Sequence, residues 1–450
     1  MDAPIAEFVR RYADGKPARF HMPGHKGTGP LGCEALDITE VQGADALYEA
    51  EGIIAQSEAN AAALFGTAAT FYSTEGSSLC IRTMLTLALL HAGPRKGRPV
   101  VIAARNAHKT FLLASSVLDL EVRWLWSEAE DFALCRCPVS QAQLERQLSA
   151  LPEPPIAVYV TSPDYLGGEL DIAALAETAH RHGVPLLVDN AHGAYLRFLP
   201  QSRHPMDLGA DLCCDSAHKT LPVLTGGAYL HVSRAAPADF RENARQALAL
   251  FGSTSPSYLI LQSLDLCNQS LAGDWPAQLN ACVERTAVCK ERLRQMGWTV
   301  EDSDPLKLTV HAAAGGWTGT ALADRLRQSG VECEYADPDF LVLMITPGNL
   351  EADFSRLESV FAAISPGKPL RRPQLHLTPP EVRCTPRQAA FAPRETVPAE
   401  QSTGRVLAAA TVACPPAVPV VVSGEVIGPD APEIFRYYGI REVSVMKEKA

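Results

Sequence analysis

Residues 186–230 read LLVDNAHGAYLRFLPQSRHPMDLGADLCCDSAHKTLPVLTGGAYL and carry the strongest signal in the chain. The first apolar run ends in Asp189, and Lys219 follows 30 positions later. The run predicts a buried parallel strand, and an acid at the C-terminal end of such a strand lies where open α/β sheets bind ligands. Lys219 stands among small and hydroxyl residues before a turn at Gly226 and Gly227, which suits an amine that forms a Schiff base.

Two segments of this stretch resemble a known family. DNAHGAY (189–195) and SAHKTLPVLT (216–225) are similar to segments of the fold-type-I pyridoxal-phosphate enzymes, and among them of the short bacterial form of the Orn/Lys/Arg decarboxylases. The resemblance implies that pyridoxal phosphate binds covalently to Lys219 and that Asp189 pairs with its pyridine nitrogen. A salt bridge between Asp189 and Lys219 at a strand end is the alternative interpretation.

The composition is that of a globular protein with a large core. The chain has 450 residues, 47% of them hydrophobic and 20% charged, and a net charge of −11. This charge argues against nucleic acid or an anionic membrane surface as a partner. The 12 cysteines lack zinc-site spacing and predict reduced, mostly buried thiols. The start of the chain has no apolar signal region, and the stretch 84–92 is far shorter than the ~20 residues of a membrane span, so we expect a cytoplasmic protein.

Strand–helix–strand units recur along the first half of the chain and predict a mostly parallel sheet with helices on both faces. The resemblance specifies an α/β fold of the aspartate-aminotransferase type (fold type I), with smaller α/β domains after it. We predict an N-terminal segment (1–50), a large pyridoxal-phosphate-binding domain (51–297), a small α/β domain (298–366) and a C-terminal Orn/Lys/Arg decarboxylase-type domain (367–450).

Some local elements are predicted from residue type. A helix is expected to begin at Ser57 as its N-cap and to end at Gly66, and a short helix is expected over 395–409. The segment 415–427 resembles a signature of the family's C-terminal domain, although Ala417 stands where that signature has Gly.

The segment TEGSS (74–78) lies between a predicted strand and an apolar helix from Leu79. Such a turn offers free N–H groups and a favourable helix dipole to a phosphate, although it often serves only as a helix cap. Because the family places its phosphate-binding turn here, we assign the cofactor phosphate to Gly76, Ser77 and Ser78. Glu75 departs from the Asn or small residue common in the family. A carboxylate repels phosphate, so we expect Glu75 to point elsewhere or to contact substrate.

The resemblance also implies roles for two loops. His108, in a segment matching the family's NxHK(S/T), is expected to stack on the pyridine ring, the alternative being a loop histidine bonded to backbone. The segment 20–27, FHMPGHKG, resembles the family's HxPGHKG and predicts an active-site or dimer-interface loop.

The remaining predicted contacts come from the resemblance. Ala191 is expected to pack on the ring with His192 close by, and Ser216 and His218 to bind the phosphate. After decarboxylation, Lys219 or a nearby histidine such as His218 is expected to protonate Cα. Ser253 and Thr254 are expected to reach the cofactor phosphate of a partner subunit, which implies a homodimer. The expected catalytic residues are Lys219, Asp189, His108 and His218, and no metal is expected.

Decarboxylation of a basic amino acid rests on the family match alone, because sequence does not show which Cα bond stands perpendicular to the ring. Arginine is favoured over lysine or ornithine. The alternatives are an aminotransferase or a lyase on the same fold, and a catalytically silent cofactor-binding protein. Three residues in or near the expected pocket bear on substrate choice: Tyr48, Glu75 and Asp164. Asp164, where the family has Thr, either meets a cationic substrate tail or caps a turn, and capping is favoured.

Overall fold

A computed structural model describes residues 1–128, 134–412 and 419–448. The chain divides into two compact units. The first unit consists of Met1–Pro94, Ile156–Val158 and Ile172–Ala277, and the second of Arg95–Pro155, Tyr159–Asp171 and Gln278–Ala450. The predicted domain boundaries at 50, 297 and 366 stay predictions.

The helices of the described residues are, in chain order, α1 (Pro4–Asp14), α2 (Ile53–Phe65), α3 (Gly76–Ala92), α4 (Lys109–Val117), α5 (Gln141–Ala150), α6 (Ile172–Arg181), α7 (Ala217–Thr220), α8 (Ala238–Ala249), α9 (Tyr258–Leu271), α10 (Trp275–Gln295), α11 (Gly319–Arg327), α12 (Glu351–Ala362), α13 (Pro386–Ala390) and α14 (Ala431–Tyr437).

The strands are β1 (Ala69–Ser73), β2 (Val100–Ala104), β3 (Glu121–Leu125), β4 (Ala157–Thr161), β5 (Leu186–Asp189), β6 (Leu212–Asp215), β7 (Ala228–Val232), β8 (Lys307–His311), β9 (Tyr335–Ala336), β10 (Phe340–Met344), β11 (Arg394–Pro398), β12 (Thr411–Val412), β13 (Val421–Val422) and β14 (Glu442–Met446).

The first unit holds the part of the main sheet that carries the predicted lysine. Its strand order is β1-β7-β6-β5, followed by the first two residues of β4. β5 and β6 are parallel, with Asp189 opposite Cys214, whereas β7 runs antiparallel to both β6 and β1. Because β5 and β6 are parallel neighbours, their C-terminal ends meet at one edge, where ligands bind in open α/β sheets.

In the second unit the last three residues of β4 are followed by β2 and β3, and β2 and β3 are parallel. Three smaller antiparallel sheets belong to this unit, with strand orders β8-β10-β9, β11-β14 and β12-β13. A buried apolar cluster that includes Tyr335, Val421 and Phe435 forms a core beneath them.

Helix α2 begins earlier than predicted. It starts at Ile53 rather than Ser57, because the Asp45 carboxylate accepts hydrogen bonds from the N–H groups of Gly52 (2.8 Å) and Ile54 (3.0 Å). Ser57 instead lies buried in the helix and bonds the Tyr72 hydroxyl at 2.6 Å. The predicted end is confirmed, since Gly66 closes α2 with a φ of 71°.

The helix expected over 395–409 is wrong. Residues 394–398 form β11, which pairs antiparallel with β14, and only a 3₁₀ turn follows over Ala399–Gln401. The β-branched pair Thr396 and Val397 favours a strand, and Pro398 disfavours a helix interior. The predicted signature covers 415–427, and its residues 415–418, with Ala417, lie outside the described residues.

Two further observations concern the composition. Among the described residues, no helix combines the length and the apolar character needed to cross a membrane. The described cysteines are free thiols, and most are buried.

Candidate active site

Lys219 lies in the short helix α7, just beyond the C-terminal end of β6. Its Nζ is 3.0 Å from Nε2 of His192, which follows β5 and is 5% exposed. The amine is thus in contact with an imidazole at the sheet edge.

Asp189 is the last residue of β5 and is 2% exposed. Its Oδ1 accepts a hydrogen bond from the N–H of Ala191 at 3.2 Å and a weaker one from the Cys214 thiol at 3.6 Å. These contacts fix the carboxylate at the strand end, where burial strengthens any interaction that it makes with a cation.

The predicted phosphate turn forms the start of α3, since the helix begins at Gly76 and not at Leu79. Gly76 has a φ of 69°, a backbone conformation that side chains disfavour. The hydroxyls of Ser77 and Ser216 are 2.7 Å apart, so the turn and the start of the lysine loop meet. The structure therefore brings together three of the predicted phosphate contacts from two separate segments.

Glu75 is the N-cap residue of α3, but its side chain does not cap the helix. Its Oε1 instead accepts a hydrogen bond from the N–H of Ser253 at 2.6 Å. The carboxylate therefore points to the 252–256 loop, as expected if it avoids a phosphate. Tyr48 belongs to the same neighbourhood, since burial, followed by the charge of Glu75, raises the pKa of its hydroxyl to about 12.

His218 is held by its backbone neighbours. Its Nδ1 lies 2.9 Å from the carbonyl oxygen of Gly227, to which it donates. This bond leaves the other ring nitrogen, Nε2, without a proton in the neutral ring. Whether His218 or Lys219 protonates Cα stays a prediction.

His108 belongs to the second unit, where it is the N-cap residue of α4. Its Nδ1 accepts a hydrogen bond from the N–H of Thr110 at 3.2 Å and lies 3.0 Å from the Thr110 hydroxyl. The ring is therefore fixed at the start of a helix, and its stacking on the cofactor stays a prediction.

Asp164, also in the second unit, caps a turn as favoured from sequence. Its Oδ1 accepts hydrogen bonds from the N–H groups of Leu166 (2.9 Å) and Gly168 (2.8 Å), and the residue is 6% exposed. A Cβ at Gly168 would meet Asp164 Oδ2 at 2.5 Å, so a larger residue there would displace the Asp164 side chain.

Sequence reasoning missed a buried network centred on Asp215, the last residue of β6. Its Oδ1 accepts a 2.7 Å hydrogen bond from Asn190, the residue after Asp189. Its Oδ2 lies 3.0 Å from Nε2 of His204 and 3.1 Å from Nε2 of His231. Burial opposes ionisation of Asp215, but the two histidines hold its pKa below the usual value. The only local signal was a second acid at the end of an adjacent strand.

The side chains of His204, Asp215 and His231 are close enough to hold a metal ion, since their ligand atoms lie within 4.8 Å of one another. However, Nδ1 of His204 accepts a hydrogen bond from the N–H of Met206 at 3.3 Å. The ring proton of His204 is then on Nε2, which donates to Asp215 and offers no lone pair to a metal. The geometry fits a hydrogen-bond network that joins the ends of β5 and β6.

The predicted loop 20–27 is tied to the N-terminal segment of the first unit. His21 Nε2 lies 2.6 Å from the Tyr12 hydroxyl, and Lys26 Nζ donates to the His21 carbonyl at 2.6 Å. Phe20 is 96% exposed. The role of the loop 20–27 at an active site or a dimer interface stays a prediction.

Comparisons with known proteins agree with this geometry. Residues 3–308 match the model of the Orn/Lys/Arg decarboxylase major domain, and residues 372–446 match that of the C-terminal domain of the same family. The chain belongs to the Orn/Lys/Arg decarboxylase family. It is a pyridoxal-phosphate-dependent decarboxylase.

Relatives of similar length support the assignment. The chain is 29% identical to an arginine decarboxylase of Bacillus subtilis (strain 168), over 95% of this chain and 91% of the relative. It is also 29% identical to an arginine decarboxylase of Halalkalibacterium halodurans, over 94% and 91%. The solved structure of the E. coli constitutive lysine decarboxylase is similar with a TM-score of 0.79 at 18% identity, over 99% of this chain and 82% of that one. This likeness confirms the predicted fold class.

The residues of the first unit fit pyridoxal phosphate. A lysine amine, a buried carboxylate and a helix N-terminus without a side-chain cap are the groups that bind its aldehyde, its pyridine nitrogen and its phosphate. When bound, the cofactor supplies the electron sink for the electron pair left on Cα as CO₂ departs.

Proposed function

We propose that this decarboxylase acts on arginine, and on lysine or ornithine less well. The identity of 29% to the Bacillus subtilis arginine decarboxylase, over nearly the full length of both chains, supports arginine. The contact between Lys219 Nζ and His192 Nε2 at 3.0 Å supports decarboxylation chemistry at this site, because an imidazole beside the amine can exchange a proton with it.

In this proposal each residue of the first unit has one role. Lys219 binds the cofactor covalently and later returns a proton to Cα, with His192 accepting or supplying that proton. Asp189 keeps the pyridine nitrogen protonated, since an adjacent buried carboxylate raises the pKa of a cation. The phosphate is bound by the α3 N-terminus and by hydroxyl groups, here assigned to Gly76, Ser77, Ser78 and Ser216.

Three further roles complete the proposal. His108 covers one face of the pyridine ring, and Ala191 packs on the other. Ser253 and Thr254 bind the cofactor phosphate of a partner in a cytoplasmic homodimer. Both residues lie on an exposed loop, as a contact with a partner chain requires.

The test is product identification by mass spectrometry. Purified protein is incubated with pyridoxal phosphate and, separately, with arginine, lysine and ornithine. We expect agmatine as the main product, and cadaverine or putrescine in smaller amounts. A main product other than agmatine contradicts the arginine assignment, and a keto acid indicates an aminotransferase. No product with cofactor still bound indicates a silent binder.

Two variants accompany this test. Lys219→Ala should lower turnover by on the order of 10³-fold or more, since it removes the group that acts on both the cofactor and Cα. Lys96→Ala removes an exposed lysine of the second unit and should leave the rate unchanged. Equal rates for both variants would remove Lys219 from the mechanism.

A further inference from the structure

A cavity of about 400 Å³ lies within the second unit. One wall is the strand β3 and the other comes from C-terminal residues around 382–388 and 422–425. Its volume is in the range of small-molecule sites. Its lining includes Arg98, Trp124, Val382, Arg383, Ser423 and Glu425.

The cavity is cationic although the chain carries a net charge of −11. Three arginines line it, of which Arg123 pairs with Glu121 at 2.5 Å and Arg383 with Glu381 at 2.8 Å. Within the described part of the chain, the Arg98 side chain makes no ion pair and no hydrogen bond. An unpaired guanidinium at the rim of a cavity favours an anionic ligand.

A second, independent observation concerns Ser423. The residue is 2% exposed and lines the cavity, and its Oγ has no hydrogen-bond partner among the described residues. Buried hydroxyls are nearly always hydrogen-bonded, so an unpartnered one in a residue that lines a cavity is a candidate ligand contact. A ligand oxygen would satisfy it.

The acid in the wall does not oppose an anion. Both carboxylate oxygens of Glu425 are bound at 2.8 Å by Arg105, and Oε2 also accepts a hydrogen bond from the N–H of Val422. Its charge is therefore compensated inside the wall. The floor beside it is apolar, with Trp124 and Val382 as examples.

We propose that this cavity binds a small organic anion, a phosphate or carboxylate group on an apolar body. The oxyanion lies between the Arg98 guanidinium and the Ser423 hydroxyl, and the apolar body lies against Trp124 and Val382. This proposal goes beyond the proposed function and does not rest on it.

The test is calorimetric titration of the full-length protein saturated with pyridoxal phosphate. The probes are phenyl phosphate, benzoate and the neutral benzyl alcohol. We expect at least one anion to bind with 1:1 stoichiometry and benzyl alcohol to bind at least tenfold more weakly. Binding of phenyl phosphate alone identifies the natural ligand as a phosphate ester, and binding of benzoate alone identifies it as a carboxylic acid.

Three variants locate the binding. Arg98→Gln and Ser423→Ala should each weaken binding of the anion by about tenfold. Arg241→Gln removes an exposed arginine of the first unit and should leave it unchanged. Without probe, Ser423→Ala should unfold at the same or a higher temperature than the natural chain, because it removes an unsatisfied buried hydroxyl.

The proposal is overturned if neither anion binds, if benzyl alcohol binds as tightly as the anions, or if Arg98→Gln and Ser423→Ala bind like the natural chain. Arg98 is exposed, so its variant folds even if Ser423→Ala does not.

Discussion

The guanidinium of Arg105 binds both carboxylate oxygens of Glu425 at 2.8 Å, with side chains that are 6% and 2% exposed. The guanidinium also lies over the rings of Trp124 and Trp126, at 4.8 and 4.5 Å from their centroids. Arg105 follows β2 and precedes His108 by three residues, so the pair joins the C-terminal residues to the segment that carries His108. Arg387 holds the other end of α4, donating to the carbonyl of Val117 at 2.8 Å.

Removing one charge of this pair should destabilise the protein strongly. We expect Glu425→Gln to lower the free energy of unfolding by about 3 kcal/mol, since it leaves a buried guanidinium without its counter-charge. The measurement is urea denaturation of the holoprotein, followed by circular dichroism.

The matched control is Glu332→Gln in the same unit. Glu332 pairs with Arg327 at 3.2 Å, but the two side chains are 79% and 46% exposed. An exposed pair contributes about 0–1 kcal/mol, so this variant should unfold almost like the natural chain. Equal losses for the two variants would contradict a special role for the Arg105–Glu425 pair.

The position of Asp189 at the end of a strand and of Lys219 before a glycine turn could be predicted because the signal is local, and the roles of both residues stay predictions. Each stands beside its own strand, and a buried run followed by an acid or by a glycine turn is readable without knowing the fold. The Asp215 network could not be predicted in this way. His231 reaches Asp215 through the β6–β7 pairing that sets Cys213 opposite His231, and His204 reaches it from the start of a 3₁₀ turn before β6.

The same contrast explains the errors in secondary structure. Ser57 has the residue type of an N-cap, but a carboxylate from position 45 performs the capping, and residue type alone does not reveal a distant donor–acceptor pair. Residues 394–398 become a strand because 442–446 lie beside them. Strand pairing of this kind overrides the helix or strand propensity of the local sequence, which is weak for short segments.

The pH dependence of stability should carry a contribution from Glu58. Burial, opposed by Arg245, raises the pKa of this carboxyl from 4.5 to about 7. The folded chain therefore keeps a proton that the unfolded chain releases above pH 4.5, so the free energy of unfolding falls as pH rises from 4.5 to 7. The fall attributable to Glu58 is about 3 kcal/mol.

Urea denaturation of Glu58→Gln and of the natural chain at pH 5 and pH 7.5 measures this contribution. Because Gln does not titrate, the stability of the variant relative to the natural chain should increase with pH. Glu177→Gln, at a residue paired with Arg181 and 69% exposed, serves as control and should show no such trend. A relative stability of Glu58→Gln that falls with pH contradicts a raised pKa.

Glu75 and Ser77 should affect cofactor binding in opposite directions. Removing the carboxylate in Glu75→Asn should tighten binding of pyridoxal phosphate several-fold at low salt, by on the order of 1 kcal/mol, since it removes a charge that repels phosphate. Ser77→Ala should weaken it, since it removes a hydroxyl that contacts Ser216. Absorbance titration of the apoprotein at low and high salt measures both.

The control is Glu49→Gln, which changes the net charge equally at a residue outside the phosphate turn. If Glu75→Asn binds the cofactor more weakly than this control, the hydrogen bond from Ser253 to Glu75 matters more than the repulsion, and the carboxylate supports the site.

His108 can be tested with two variants that separate its ring from its helix cap. Asn is a good N-cap without an aromatic ring, whereas Phe has a ring but cannot accept the hydrogen bond from Thr110. If the ring stacks on the cofactor, His108→Asn should weaken pyridoxal-phosphate binding by roughly 1 kcal/mol, about fivefold, and His108→Phe should retain most of the affinity. Unfolding should show the reverse order, with His108→Phe losing about 1 kcal/mol of stability. Affinities that follow the cap rather than the ring would show that His108 acts only by starting α4.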